Sequence, residues 1–245
     1  MAYADDFQLF ISVPPSHVLT ALTQLELCVR DVRTWLTGNQ LSINDAKTEF
    51  IVFGTPQQSK KIPHLKLKVG DVQIPQSDHV RSLGVILDCN LNMKQQVSNA
   101  CRGAFCQLRL ISRIRRSLDG STCALLSHSL VFSQIEYCLS LFHGINQNEK
   151  LKLQRVINSA IRMNKLLSKR DSVTAFHNQQ CWMNVDKRVF LRLALLTFKT
   201  LKFAEPKYLF DLLQPIKHER NSRSQDQGLL ATKWTRTEIA RERLK

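Results

Sequence analysis

Tyr3-Ala4-Asp5-Asp6-Phe7-Gln8-Leu9-Phe10-Ile11-Ser12-Val13 stands at the start of the chain, and its reading decides how residues 1–90 fold. Phe7, Leu9 and Ile11 alternate with Gln8, Phe10 and Ser12, an imperfect period of two. The stretch from Tyr3 to Val13 is therefore predicted as a strand, a tight acidic turn and a second strand. Adjacent carboxylates such as Asp5 and Asp6 repel, so the pair is best tolerated in water or around a cation. Mg2+ takes hard oxygen ligands and shares them with substrate phosphates. An ordinary solvated turn would carry the same pair.

Outward from this stretch, Pro14, Pro15 and Ser16 stop the strand and cap a helix. Val18, Leu22, Leu25, Val29, Val32 and Leu36 fall on one helical face, and Gly38 is placed to end it. A short connection, Leu41 to Asn44, leads to a predicted strand over Thr48–Phe53, with Gly54 and Pro56 after it. Gln57 to Ile62 is a polar basic loop. Leu65–Val69 and Val72–Ile74 form a predicted hairpin around Gly70-Asp71. Val80–Leu87 is a further predicted strand carrying Ser82-Leu83-Gly84-Val85. Residues 1–90 are thus α+β.

From Leu91 the pattern turns helical. The predicted helices are Met93–Leu118, Ser121–His143, Glu149–Leu167, Asp186–Phe203 and Pro206–Leu213. In the first, Ala104, Leu108, Ile111 and Leu118 share one face, while Arg102, Arg109, Arg113 and Arg116 share the opposite one. In the third, Arg155, Arg162 and Lys169 oppose Leu153, Val156, Ile157, Ala160 and Leu167. Two basic stripes with apolar backs suit a phosphate backbone; solvated, salt-bridged faces are the other reading. The organisation expected is residues 1–90, a helical region 91–216, and a basic, loosely ordered tail 217–245.

Charge and cysteine usage narrow the class. The net charge of +15 is unevenly spread: residues 1–90 hold 8 Lys/Arg against 9 Asp/Glu, and residues 91–245 hold 27 against 11. A lopsided basic region most often faces nucleic acid. No run of about 18 apolar residues predicts a membrane helix, and Met1–Ile11 does not read as a signal peptide. Seven cysteines, an odd number at irregular spacings, suggest reduced thiols in an intracellular protein, nuclear or cytoplasmic and not secreted. The doublets Lys60-Lys61 and Arg115-Arg116 are too short to choose between the two compartments. Cys101, Cys106, His128, Cys138 and His143 could be gathered into a zinc site. They lack a Cys-x-x-Cys pair, and buried free thiols are the simpler account.

The order of several motifs carries a resemblance. Tyr3-Ala4-Asp5-Asp6 looks like the catalytic hairpin of reverse transcriptases. Leu41-Ser42-Ile43-Asn44 followed by Lys47-Thr48-Glu49 resembles the next motif of that family. Ser82-Leu83-Gly84-Val85-Ile86-Leu87-Asp88 resembles its primer-grip hairpin. Arg109-Leu110-Ile111-Ser112-Arg113-Ile114-Arg115 resembles the start of the thumb in retrotransposons of the non-LTR (LINE) type, of the Jockey and chicken-repeat kind. Ser133-Gln134-Ile135-Glu136-Tyr137-Cys138, the run from Leu153-Gln154 through Asn158 and Ala160 to Arg162, and Ser222 to Leu230 continue it.

The resemblance implies a partial polymerase palm of antiparallel strands plus a helix, followed by an all-α, thumb-like region, in an RNA-directed DNA polymerase. Asp5 would be the main Mg2+ ligand, with Asp6 assisting in a two-metal site. Lys47 would protonate pyrophosphate, or be a surface lysine at the start of a strand. Tyr3, Leu83 and Gly84 would lie near the primer end, the last two alternatively a simple strand bulge. Arg102, Arg109, Arg113, Arg116, Arg155 and Arg162 would touch an RNA template with its DNA primer. Ala2 and Phe7 differ from the usual Cys and Thr beside the hairpin. The family's fingers and first metal-binding Asp would lie upstream of Tyr3, so the chain is expected to be a truncated copy, inactive alone. A nonspecific RNA- or DNA-binding module and a non-functional relic of a retroelement are the alternatives. Oligomeric state has no sequence signal.

Overall fold

The computed structural model describes residues 2, 3, 6–178, 182–213 and 230. It is a mixed α+β protein. The chain divides into two compact units, residues 1–95 and residues 96–245. Among the described residues no helix is long and apolar enough to cross a membrane.

In the first unit, β1 (Ala2–Tyr3) and β2 (Asp6–Phe7) form an antiparallel ladder pairing Tyr3 with Asp6 and Ala2 with Phe7. The predicted hairpin is shorter than its alternation implied: residues 8–13 make no ladder, and Leu9, Phe10 and Ile11 are exposed. A single 3-10 turn, Pro15–His17, with proline at its first position leads into α1 (Val18–Gly38). Proline suits that position because its missing N–H has no partner there anyway. Val18, Leu22, Leu25 and Val29 pack on a core of Phe50, Leu65, Leu67, Val69 and Ile74. Burying each such large side chain contributes roughly 1.5–3 kcal/mol.

The helix ends differently from the expectation. Gly38 is its last residue, and the left-handed residue is Gln40 at φ 60°. Gln40 N–H donates to Thr37 O at 3.1 Å and Leu41 N–H to Leu36 O at 2.9 Å, a pair of bonds that satisfies two of the last carbonyls.

After a short helical turn, Asp45–Lys47, come β3 (Phe50–Ile51), α2 (Pro56–Ser59), β4 (Lys66–Val69) and β5 (Val72–Ser77). The sheet order is β3-β5-β4, with β4 antiparallel and β3 parallel to β5. Along β4, exposed lysines alternate with buried Leu67 and Val69, as a half-buried strand requires. The strand predicted over Thr48–Phe53 shrinks to two residues. Its flanks are bonded elsewhere: Glu49 Oε2 accepts from Arg81 N–H at 3.1 Å, and Gly54 N–H donates to Cys89 O at 3.0 Å.

Gly70 turns the β4–β5 hairpin at φ 62°, and the Arg33 guanidinium lies where its Cβ would be. Only glycine satisfies both demands. The single strand predicted over Val80–Leu87 is instead a hairpin, β6 (His79–Ser82) with β7 (Val85–Asp88). Leu83 and Gly84 form its two-residue loop at φ 46° and 82°. Positive φ at both positions marks a type I′ turn, whose twist matches the strands.

The second unit is helical. α3 (Lys94–Ile114) ends in a 3-10 turn, Arg115–Ser117, rather than running to Leu118. α4 (Gly120–Leu126) is capped by Asp119, whose carboxylate accepts from the N–H groups of Ser121 and Thr122. It widens into a π-helical stretch, Ser127–Phe132, and narrows again in α5 (Ser133–Glu136). The helix predicted over Ser121–His143 is therefore broken. Tyr137 is extended and Cys138 left-handed at φ 53°, and this reversal sends Leu139 and Phe142 into the core.

α6 (Gln147–Lys165) starts on an Asn146 cap, and α7 (Val185–Phe203) on an Asn184 cap. The helix predicted over Pro206–Leu213 is the short α8 (Lys207–Phe210). α6 and α7 both end on left-handed non-glycine residues, Leu166 and Ala204. Phe132, Ile135, Phe142, Leu153, Ile157 and Ile161 are fully buried at the centre of this unit. Apart from Leu230, the tail predicted over 217–245 lies outside the described residues.

Candidate nucleic-acid interface

α3 separates its two faces as its period of 3.6 requires. Ala104, Leu108 and Ile111 are buried, and Arg102, Arg109 and Arg113, with Arg116 in the turn that follows, are exposed on the other side. At 1.5 Å per residue the four guanidiniums spread over about 20 Å. Among the described residues no carboxylate forms an ion pair with any of them. The row thus presents its charge outward, where phosphates can neutralise it.

Arg115 sits within the same run and does something else. It lies four residues after Ile111, in phase with the buried face. Its guanidinium donates to Leu118 O (2.8 Å), Met163 O (3.0 Å) and Asn164 O (2.9 Å). The last two are carbonyls at the end of α6 that have no partner within the helix. Asn164 Nδ2 returns a bond to Gly120 O at 3.1 Å. Arg115 therefore fastens the end of α3 to the end of α6.

The stripe expected on α6 is thinner. Arg155 is exposed, and Leu153, Val156, Ile157 and Ala160 are buried behind it. Arg162 is half-buried: its Nη2 donates to Asp171 O at 3.4 Å, and its Nε is enclosed without a partner among the described residues. It belongs partly to the packing of the loop after α6. Lys169 lies in that loop, beyond the helix.

In the first unit, Asp5 lies outside the described residues, and Tyr3 is placed through its backbone pairing with Asp6. Asp6 is exposed. Gln8 Nε2 donates to Ser82 Oγ at 2.6 Å, which brings the Asp6 hairpin beside the Leu83-Gly84 turn. Lys47 is exposed at the end of the turn capped by Asn44, whose Oδ1 accepts from Lys47 N–H at 3.3 Å. Arg33 Nη2 holds Asp45 at 2.8 Å and so fixes that turn to α1. No hydrogen bond or ion pair among the described residues joins Lys47 to Asp6. Nor do three or more His, Cys, Asp or Glu side chains converge among them. The described carboxylates do not by themselves make a ligand set for Mg2+, and no zinc cluster forms from the cysteines there. Burial pushes the Cys101 thiol up to about 11, so it stays protonated and inert.

A second cluster had no counterpart in the sequence reading. Arg188 is only 7% exposed, lies 4.4 Å from the Phe132 ring centroid, and pairs with Glu136, which also holds Arg192 at 2.9 Å. His128 packs against Phe132 and Trp182, and its Nε2 has no partner among the described residues. Burial, and then the Arg188 charge, lower its pKa below 6.5. Comparison with known protein families, curated proteins and solved structures gives no match to this chain.

Proposed function

We propose that this chain is palm and thumb sequence from an RNA-directed DNA polymerase of a non-LTR retrotransposon, and that its helical unit holds nucleic acid. The observation that carries the binding is the row Arg102, Arg109 and Arg113 on the exposed side of α3, continued by Arg116 in the turn after it and without an ion pair among the described residues. The ordered motifs from Tyr3 to Arg162 support the family, as does the bond between Gln8 and Ser82, which sets the acidic hairpin beside the Leu83-Gly84 turn. In this reading the polypeptide binds a template–primer duplex.

The test is fluorescence anisotropy with a labelled DNA duplex and an RNA–DNA hybrid across a salt series. Each phosphate contact contributes about 0.9 to the slope of log K against log salt on duplex DNA. Replacing all four arginines by Gln is expected to lower that slope by about 3–4, while Asp6→Asn leaves it unchanged. An unaltered slope in the quadruple variant refutes the assignment. Mg2+-dependent primer extension abolished by Asp5→Asn would support the polymerase reading.

A further inference from the structure

α7 carries large apolar side chains on its outward as well as its inward side. Val185, Val189 and Thr200 face inward with Arg188. Outward stand Leu191, Leu195 and Phe198, spaced i, i+4 and i+7, with Phe190 and Leu201 alongside; Phe190 is 72% and Phe198 57% exposed. An exposed apolar patch of this kind marks an interaction surface. Lysines stand over and beside this apolar patch. Lys202 Nζ stands 5.7 Å from the Phe198 ring centroid and 5.5 Å from that of Phe203, so a cation sits over the apolar face. Lys199 lines a shallow cleft of about 460 Å³ with Phe203, Glu205 and Pro206. Asp186, the one carboxylate on α7, is engaged by Lys150 at 3.0 Å.

We propose that the outer face of α7, with the cleft before α8, docks an acidic amphipathic helix of another protein. Anchors at i, i+4 and i+7 are how one helix engages another. The lysines over and beside the apolar patch call for carboxylates on the occupant. A second copy of this face would set Lys199 and Lys202 against their equivalents. Residues 214–245 hold 8 Lys/Arg against 4 Asp/Glu and have the wrong sign as well. An anionic lipid surface matches the sign of the lysines but offers no side chain for the cleft. The proposal shares no residue with the row on α3 and stands independently of it.

The experiment uses the full chain and three labelled helical peptides of about 18 residues, or five turns. All carry one Leu/Phe face, with a rim of Glu, Gln or Lys. The Glu-rim peptide is expected to bind roughly tenfold or more tighter than the Lys-rim peptide at low salt. Lys199→Glu with Lys202→Glu should invert that order, and Phe198→Asp should abolish binding of all three. Replacing the four α3 arginines by Gln should leave the order intact. If Phe198→Asp unfolds the chain, the lysine pair still decides. Equal affinity for the Glu and Lys peptides overturns the proposal. So does self-association lost in Phe198→Asp, or binding to phosphatidylserine vesicles with no preference among the peptides.

Discussion

Replacing Arg115 by Lys keeps the charge and removes the fork that reaches three carbonyls at 2.8–3.0 Å. A hydrogen bond to a charged group contributes about 1.5–3 kcal/mol. Arg115 is half-buried, and carbonyls freed at the end of α6 regain some water, so about 1 kcal/mol per bond applies, below that range. Arg115→Met, which loses all three bonds, is expected to cost about 3 kcal/mol. A lysine ammonium is a point charge that can satisfy one carbonyl at a time, so Arg115→Lys should cost about 2 kcal/mol. In a chain of this size each kcal/mol moves Tm by about 2–4 °C, giving drops of roughly 6–12 °C and 4–8 °C. Thermal and urea unfolding followed by circular dichroism at 222 nm would read both. Its neighbour supplies the contrast. Arg116 is exposed, so Arg116→Gln should stay within about 0.5 kcal/mol of wild type and weaken duplex binding instead. The reasoning is refuted if Arg115→Lys is as stable as wild type, or if it weakens duplex binding as much as Arg116→Gln does.

Leu83 occupies a left-handed position that β-hairpins reserve for Asn, Asp or Gly, so Leu83→Asn should raise stability by about 1 kcal/mol, read as a higher urea midpoint at unchanged slope; a fall would mean that the turn is not of this type. His128 contributes a pH dependence whose sign follows from its lowered pKa. The unfolded chain takes up this proton near pH 6.5 and the folded chain only at lower pH, so its stability is full above pH 6.5 and declines as pH falls through the folded value. The groups facing it are Arg188, which opposes protonation, and Glu136, which favours it. His128→Phe should flatten that part of the pH profile of urea unfolding, and an unchanged profile would count against it.

Much of the α+β fold was legible because its signals are local. The face of α1, the apolar backs of α3 and α6, and the β4–β5 hairpin all follow from spacing and from Gly70-Asp71. By spacing alone the β6–β7 hairpin was not, because a leucine in the left-handed region runs against turn preferences, and Val80 to Leu87 reads as one strand. The reversal at Tyr137 and Cys138 was hidden for a similar reason: no Gly, Pro or Asn marks it. Of the arginines, the period of α3 identifies the exposed row. It also puts Arg115 in the buried phase, a clue available in the sequence, although its partners 48 and 49 residues away leave no local mark. The cluster of His128, Glu136 and Arg188 depends entirely on how the π-helical stretch brings distant segments together.

The left-handed residues at the ends of α1, α6 and α7 bear on how this chain tolerates mutation. Gln40, Leu166 and Ala204 each hold a conformation that glycine adopts without steric cost. Glycine at each would add up to about 1 kcal/mol, and sites so far apart in sequence should act nearly additively. Such positions behave as global suppressors. In a genetic screen that begins from a destabilised variant, Gln40→Gly should recur as a second-site revertant for lesions in residues 1–95, and Leu166→Gly or Ala204→Gly for lesions in the helical unit, wherever within its unit the first lesion lies.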